Sequence, residues 1–493
     1  MSKNSSEVVL ETLSTDKSYF DENLQLDRAK MLQFQPKSLQ RPINWSTKKK
    51  LVHTVLYGLT TFSAQFNSTT MSFEYCVDDI RKEFGVSREV VLLLTSLYIL
   101  GIAFGPMVFA PLSEIYGRKV GIFAPFLMSA MLTFATGISY SLSAMMVTRF
   151  LGGFFAGAPI VASGGVLGDI WSPAQRGAAF AFYACFVING AALGPTIGSL
   201  LSMRTNWRNP QWFIGGLSIC IIAVCCTFLH ETYEPALLAR EAKKERLKSG
   251  SWDIHSKRDT WDLNIRELVK IHMVRPFAIL ATPIVFLMSL FASYVYGLFY
   301  LILTNVSEAF YLAKGWKGTP GTLPCISLLL GVLFGCVGNM LWANRYASLV
   351  ERNNGDPLPE QRLPVMMILG WLMPAGIFIF GWTCSPNVPW PVPCLGIMMM
   401  GCGFITIFQG SLNYLIDSYT CYSASAIAAA TFLRSVFAAS FPLFAKQLFV
   451  NLNVHWGASL IGFIALGMIP IPYLFFVFGK RIREKNVFKP GLE

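Results

Sequence analysis

Residues 110–119 read APLSEIYGRK, and this short charged segment separates two long apolar runs. It contains one carboxylate, one glycine and two cations, at Glu114, Gly117, Arg118 and Lys119. The two cations are typical of a loop that anchors membrane helices on one side of the bilayer. Anchoring needs neither the acid nor the glycine. At a partly desolvated surface, however, a carboxylate and a guanidinium form strong, directional ion pairs. We therefore interpret the segment as an anchor that is also a gate latch, which holds two packed helix bundles together in one state and must break in the other.

The composition of the whole chain is that of a polytopic helical membrane protein. Of the 493 residues, 53% are hydrophobic and only 14% are charged, whereas soluble domains carry about 25% charged residues. Apolar runs of about 20 residues, the length that crosses a bilayer, recur along most of the chain. These runs do not alternate as the strands of a membrane β-barrel do. The predicted fold class is therefore all-α, with twelve transmembrane helices.

Charge and cysteine usage exclude several other classes of protein. The net charge of +12 does not indicate nucleic-acid binding, because Lys and Arg cluster in particular loops and at the ends of apolar runs. Most of the eleven cysteines lie in apolar runs, where a thiol behaves as a small hydrophobe. The sequence has no Cys/His zinc spacing, no phosphate-binding loop and no hydrolase motif. We expect no metal site, no cofactor, no ATP-driven step and no enzymatic activity.

Twelve runs are long enough to be spans. They cover residues 51–74, 90–111, 120–140, 143–167, 177–201, 212–229, 277–304, 319–342, 363–382, 390–415, 424–450 and 456–478. One set of connecting segments, which includes both termini, is richer in Lys and Arg, so both termini are predicted to be cytoplasmic. No cleavable signal peptide is expected. The predicted organisation is a disordered tail (1–44), a six-helix bundle (45–229), a cytoplasmic linker loop (230–275), a second six-helix bundle (276–480) and a short tail (481–493).

A weak internal repeat relates the two predicted bundles. Asp169 lies at the inner end of span 4, and Pro195 lies deep in span 5. Asp417 and Pro442 have the same relation in spans 10 and 11. Structural repeats of this kind are typical of transporters whose two halves rock about a central site. The repeat predicts pseudo-symmetric bundles, with Asp417 as the counterpart of Asp169 in a second latch.

Two arginines lie inside predicted spans, where a charge is costly and usually functional. Arg149, near the outer end of span 4, either extends to the membrane surface or acts as a fixed cation beside a proton or substrate site. Arg434 lies deeper, in span 11, and either pairs with backbone carbonyls or faces a substrate. No acid lies clearly at mid-span, so the sequence does not identify a proton carrier. Glu74, Asp78 and Asp79 cluster at the outer end of span 1. For Asp78 and Asp79, solvated loop positions are favoured over a role as proton acceptors.

Polar and aromatic side chains within the spans predict a central cavity. Unsatisfied amides and hydroxyls are costly in hydrocarbon, so these groups should face a cavity or neighbouring helices. Aromatic rings with polar tips suit flat or amphipathic molecules. The predicted cavity residues are Gln65, Asn67, Asn189, Tyr296, Tyr300, Gln409, Asn413 and Arg434.

Several motifs together identify a family resemblance. The pattern G-x-x-x-[D/E]-x-x-G-R-[K/R] at the loop between spans 2 and 3 resembles the signature of the major facilitator superfamily, with Ala110 in place of the first glycine. RFLGGFFAG (149–157) resembles the family's span-4 motif, and GAALGPTIGS (190–199) resembles the span-5 motif associated with antiporters. HETYEPALLAREAKKE (230–245), PEQRLP (359–364) and LRSVFAASFPLF (433–444) resemble the fungal twelve-span drug:proton antiporters.

The resemblance implies roles for particular residues. Glu114, Gly117, Arg118 and Lys119 would form the latch, with Asp169 as the partner of Arg118. Arg149 would take part in proton coupling. The antiporter motif would consist of Gly190, Gly194, Pro195 and Gly198. Its glycines allow close helix contact and its proline bends the helix.

We therefore expect a proton-coupled exporter of small amphipathic organic molecules that works by alternating access. The expected partners are the substrate, protons and the lipid bilayer, but no nucleic acid, and a monomer in the plasma membrane is favoured over one in the vacuolar membrane. A narrower exporter of polyamines or of one metabolite is the first alternative. The second alternative is a non-transporting membrane receptor.

Overall fold

The structure, a computed structural model, describes residues 24–26, 32–203, 205–250, 252, 255–256, 273–316, 318–353, 357–419 and 422–484. Within these residues, eleven helices are long and apolar enough to cross a membrane. The helix of the first span, Thr47–Thr69, is long enough but too polar to be among them, because it carries the run SAQFNST. With this helix included, the fold has the twelve spans predicted from the sequence.

The spans are numbered in chain order. Spans 1–6 are the helices Thr47–Thr69, Arg88–Ile115, Arg118–Ile138, Leu142–Ile170, Pro173–Ser202 and Arg208–Phe228. Span 7 is Pro283–Lys314, span 8 is Thr319–Thr322 with Pro324–Arg352, span 9 is Leu363–Leu369 with Leu372–Thr383, and span 10 is Pro391–Ser418. Spans 11 and 12 share the helix Ser423–Met468, and span 12 continues as Pro470–Glu484.

The helix Ser423–Met468 has 46 residues, about 69 Å at 1.5 Å per residue, which is far too long for one crossing. It is broken at Asn453, where φ is 58° and ψ is 163°. This break is the turn between spans 11 and 12 that the polar stretch 451–455 predicts. We call the side of the molecule where span 1 begins and span 12 ends the basic face, and the other side the short-loop face.

Several span boundaries differ from the sequence prediction; spans 7 and 8, for example, end at Lys314 and Arg352 instead of residues 304 and 342. At two boundaries a separate short helix explains the difference. Span 7 was expected to begin at residue 277, but residues Arg275–Leu280 form a separate short helix and the span begins at Pro283. Proline lacks a backbone N–H and is favoured at the first position of a helix, so a new helix begins there. Span 1 ends at Thr69 instead of residue 74, and a separate amphipathic helix, Glu74–Phe84, follows it on the short-loop face.

The segments before span 1 and after span 6 hold additional structure. Strand β1 (Leu24–Leu26) pairs antiparallel with strand β2 (Leu32–Phe34), and the side chains of Leu32 and Phe34 pack on the linker helix Glu234–Ser249. The expected disorder of residues 1–44 is therefore wrong for 32–44, because this part buries apolar side chains. Residues 1–23 and 27–31 of that tail, residues 251, 253–254 and 257–272 of the linker, and residues 485–493 lie outside the described residues.

The two halves repeat the same helix neighbours. Span 1 packs on span 5, span 2 on span 4 and span 3 on span 6, and the same pairs recur as 7 on 11, 8 on 10 and 9 on 12. Glycines permit the closest crossings in both halves. A Cβ atom at Gly153 would lie 1.9 Å from the carbonyl oxygen of Tyr98 in span 2, and one at Gly331 would lie 1.9 Å from that of Met398 in span 10. The fold is thus two pseudo-symmetric six-helix bundles, which meet along spans 2 and 11 and along spans 5 and 8.

Candidate functional site

Arg118 is the centre of an ion-pair cluster on the basic face. Gly117 has a φ of 94°, a conformation that favours glycine, and it turns the chain so that span 3 begins at Arg118. The Arg118 Nε donates to Asp169 Oδ2 at 3.1 Å, and its Nη1 lies 3.8 Å from Glu114 Oε1. The same Nη1 also donates to the Ser113 hydroxyl at 2.9 Å. The structure therefore brings together Glu114, Gly117, Arg118 and Asp169 from three separate spans.

Glu231 completes this cluster, and its role was missed in the sequence. Its carboxylate is buried and accepts hydrogen bonds from the backbone N–H groups of Arg118 at 2.8 Å and Lys119 at 3.1 Å. An acid at this place satisfies the free N–H groups at the start of span 3 and complements the helix dipole. The sequence feature that could have indicated this role is the acid in HETYEP, directly after span 6. The Lys119 ammonium in turn donates to the carbonyls of Cys226 and Leu229 at the end of span 6.

A corresponding cluster lies on the basic face of the second bundle. Asp417 Oδ2 accepts hydrogen bonds from Arg362 Nε and from the Tyr346 hydroxyl, both at 2.7 Å. The Arg362 guanidinium also lies 3.5 Å from the centre of the Tyr346 ring, and Glu360 pairs with Arg483 at 2.8 Å. The sequence pointed to Asp417 without a partner. Arg362 immediately precedes span 9, just as Arg118 is the first residue of span 3. The internal repeat could therefore have identified Arg362 as the partner of Asp417.

Arg149 is fully enclosed by protein groups. Only 1% of its surface is exposed, which excludes the extension to the membrane surface. Its guanidinium donates to Asn67 Oδ1 at 2.9 Å, to the Asn67 carbonyl at 3.0 Å and to the Leu94 carbonyl at 3.2 Å. The Tyr98 ring covers one side at 4.5 Å. Arg149 therefore holds the end of span 1 against spans 2 and 4.

The two bundles touch at a cluster of polar and aromatic residues near the middle of span 7. The Gln65 amide donates to the Tyr296 hydroxyl at 3.1 Å, and the hydroxyls of Ser68 and Tyr300 are 3.0 Å apart. Both hydrogen bonds join span 1 to span 7. We call this the central cluster, and it also includes Phe299, Phe404, Phe408 and Arg434.

Rings and unpartnered polar atoms dominate the central cluster. The Tyr296 ring lies 5.7 Å from both Phe404 and Phe408, and Phe299 stacks on Phe404 at 4.4 Å. The Arg434 guanidinium lies 4.6 Å from the Tyr296 ring and 5.0 Å from the Phe408 ring. Among the described residues, Gln65 Oε1 and Arg434 Nε are buried atoms that have no hydrogen-bond partner.

The other predicted cavity residues divide into two groups. Asn67 is fully engaged, because its amide donates to Thr133 at 2.8 Å and its oxygen binds Arg149. Asn189 and Asn413 are half-buried, and Gln409 is buried next to Phe408. Within the described part of the chain, Asn189 Oδ1 and Gln409 Nε2 have no hydrogen-bond partner. These two amides remain suited to a ligand, whereas Asn67 belongs to the surroundings of Arg149.

The antiporter-type motif packs within its own bundle. Cβ atoms at Gly190 and Gly194 would lie 2.4 Å from the Phe62 carbonyl and 1.9 Å from the Thr69 hydroxyl of span 1, and one at Gly198 would meet the Phe73 ring. These glycines therefore allow span 5 to pack closely on span 1, and Pro195 lies within the helix of span 5. Contact of span 5 with the other bundle depends on the threonine and serine that follow, because Thr196 donates to the Thr322 carbonyl and Ser199 pairs with Thr319.

Further contacts join the bundles at the short-loop face. Arg88 of span 2 pairs with Glu308 of span 7 at 2.7 Å, and the Gly318 N–H donates to Glu74 at 3.3 Å. Both residues of the Arg88–Glu308 pair are largely buried. Glu308, an acid near the end of span 7, was missed in the sequence, as was the cross-bundle contact of Glu74. The short-loop face is closed in this structure.

Comparison with known proteins adds independent observations. The sequence model of the Major Facilitator Superfamily matches residues 57–442. The efflux pump bik6 of Gibberella fujikuroi is 38% identical over 91% of this chain and 92% of that protein. The major facilitator superfamily multidrug transporter FLU1 of Candida albicans is 34% identical over 93% of this chain and 76% of that protein.

Solved structures agree in fold. The human organic anion transporter MFSD10 has a TM-score of 0.59 at 15% identity and covers 88% of this chain and 100% of that one. The proton:xylose symporter XylE has the same score and identity and covers 89% of this chain and 97% of that one.

Proposed function

This chain belongs to the major facilitator superfamily and is a transporter, not an enzyme, and we propose that it exports small amphipathic organic molecules in exchange for protons. The two bundles rock about the central cluster, so that this cluster faces each side of the membrane in turn. The transporter acts as a monomer, with both termini in the cytoplasm. It works in the plasma membrane in preference to the vacuolar membrane, with the proton gradient as its energy source.

The observation that carries this proposal is the cross-bundle contact of span 1 with span 7. Gln65 and Ser68, near the end of span 1, contact Tyr296 and Tyr300, near the middle of span 7, and both tyrosines are buried. A ligand that replaces these hydrogen bonds interacts with both bundles at once. Such a ligand has different affinities for the open and closed arrangements, and this difference is what shifts a conformational equilibrium.

In this proposal the Arg88–Glu308 pair is a gate at the short-loop face, whereas the ion pairs on the basic face join helices within each bundle. Opening toward the short-loop face requires the Arg88–Glu308 pair to break, because it joins the two bundles. The clusters around Arg118 and Arg362 keep the helix ends of each bundle together while the bundles move. Arg149 contributes to proton coupling by fixing Asn67 and Ser68 next to the central cluster.

A polyamine substrate fits the central cluster less well. The one charged side chain that we assign to this cluster is Arg434, a cation. The described acids that form ion pairs within the spans, such as Asp169, Glu308 and Asp417, lie toward the two faces. A polycation would therefore meet like charge in the centre, which is costly at low dielectric.

Transport in proteoliposomes tests the proposal. Purified full-length protein is reconstituted, and uptake of a panel of amphipathic fluorescent dyes is followed with and without an imposed pH gradient. We expect uptake of at least one dye that depends on the gradient and is lost when a protonophore is added. Uptake that is unaffected by the protonophore would contradict proton coupling, and absence of uptake for the whole panel would contradict the export of such molecules.

The latch is tested with Arg118→Ala. We expect transport to be abolished while the protein still reaches the membrane, because Asp169 and Glu114 lose their shared cation. Arg118→Lys should restore only part of the activity, since an ammonium cannot reproduce the fork of a guanidinium. Arg240→Ala, an exposed arginine of the linker helix, is the matched control. Normal transport by Arg118→Ala would refute the latch.

A further inference from the structure

Arg434 is a buried cation that forms no ion pair with any residue that the structure describes. Its surface is 8% exposed, and its guanidinium lies over the Tyr296 ring at 4.6 Å and the Phe408 ring at 5.0 Å. Among the described residues, its Nε has no hydrogen-bond partner. By contrast, the buried Arg118 and Arg362 each have a carboxylate partner.

Aromatic rings alone do not compensate a buried guanidinium. They attract a cation through the negative charge on their faces but offer no acceptor for its N–H groups. Burial of an ion without an opposite charge is strongly unfavourable. An anionic ligand would compensate the Arg434 guanidinium if its oxygen atoms lay beside the guanidinium and accepted a hydrogen bond from Nε.

The side chains near Arg434 indicate the shape and polarity of the rest of such a ligand. Phe404 and Phe408 stack in parallel with their centres 6.0 Å apart, and Tyr296 covers both. These faces favour a planar, apolar body. The unpartnered amide nitrogen of Gln409 adds a donor on the same helix as Phe408.

On the basis of the export function proposed above, we propose that the substrates are planar organic anions, in which a carboxylate or an ionised phenol binds Arg434 and the aromatic body packs on Tyr296, Phe404 and Phe408. Arg434 is then the residue that determines charge specificity. A cation of the same shape is rejected by repulsion, and a neutral analogue leaves the guanidinium unpaired.

Equilibrium binding to purified full-length protein tests this assignment without requiring transport. The probes are a methoxycoumarin acetic acid, its neutral methyl ester and its cationic aminoethyl amide, which share one planar ring system, and binding is measured by fluorescence anisotropy. We expect the acid to bind roughly tenfold more tightly than the amide. Arg434→Gln should remove this preference, and Arg434→Lys should retain part of it.

Arg345→Gln is the matched control, because Arg345 also lies over an aromatic ring, that of Trp342, but is exposed on the basic face. It should keep the preference for the acid. Binding of the acid is also measured in chloride and in gluconate buffers, which distinguishes a site for organic anions from a site for small inorganic anions. If the acid competes with chloride and shows no dependence on its ring system, the site binds small inorganic anions and the proposal is wrong.

Equal binding of the acid and the amide by the wild-type protein would also overturn the proposal, and this comparison needs no variant. A preference for the acid that persists in Arg434→Gln would assign charge selection to another residue. Failure of the transport assay together with preserved acid preference would refute export while leaving the anion site intact. The two proposals therefore fail separately.

Discussion

Arg149 and Arg434 are both buried inside membrane spans, yet their surroundings differ in one essential respect. Arg149 has hydrogen-bond acceptors around its guanidinium, namely Asn67 and the carbonyls of spans 1 and 2. Arg434 has two aromatic rings and an Nε without a partner. Burial alone does not distinguish a structural arginine from a binding arginine. Satisfaction of hydrogen bonds does, because unsatisfied buried polar atoms need a ligand or water.

Replacement of Arg149 should have the largest effect on stability. Arg149→Met leaves several buried acceptors unpaired, and each costs about 1–3 kcal/mol. We expect a marked fall in the melting temperature in detergent and low yields of folded protein. A melting temperature equal to that of the wild type would show that these hydrogen bonds do not stabilise the fold.

Replacement of Arg434 should affect stability much less. Arg434→Gln removes a charge that has no opposite partner, so the melting temperature should stay close to that of the wild type. A stabilised variant would agree with this explanation, since removal of an unpaired buried charge can be favourable. A fall as large as that caused by Arg149→Met would make the two arginines equivalent and would remove the contrast.

The pair Arg149 and Asn67 should be energetically coupled. The Asn67 oxygen accepts from Arg149 at 2.9 Å, and contacting residues show coupling energies of about 0.5–3 kcal/mol. Unfolding of Asn67→Ala, Arg149→Met and the double variant would be compared in mixed micelles. Additive effects would indicate that Asn67 stabilises the fold through Thr133 alone.

The smallest effect is expected for Tyr296→Phe. This change removes the hydroxyl that accepts from Gln65 but keeps the ring beside Arg434. Stability and ligand charge preference should be nearly unchanged, with a net loss of about 0.5–1.5 kcal/mol for the cross-bundle hydrogen bond. Dye uptake in proteoliposomes would show a change in rate. Loss of the charge preference would mean that the hydroxyl, not the ring, positions Arg434.

Much of the architecture was predictable because it depends on local properties of the chain. The length of an apolar run and the distribution of Lys and Arg decide where a helix crosses a membrane. The pairing of Arg118 with Asp169 was also predicted, from the resemblance. Span 7 was placed too early, because the apolar stretch 277–304 conceals the helix boundary at Pro283.

The partners within the site were less predictable. Glu231, Glu308 and Arg362 were not singled out, although each forms a cross-helix contact. Asn67 was expected in the cavity but lies with Arg149. A polar run such as that of span 1 indicates that polar groups are buried, but the rotation of the helix about its axis decides which neighbour each group meets.

The sequence by itself therefore determined the number of spans, their two-fold repeat and the presence of charges inside the membrane. Only the tertiary structure decided which of these charges are satisfied. A hydrogen bond requires two atoms about 3 Å apart, and Arg149 and Asn67 are separated by 82 residues along the chain. Helix packing surrounds the Arg149 guanidinium with hydrogen-bond acceptors and, among the described residues, provides none for the Arg434 Nε. This difference could not be read from two similar apolar helices.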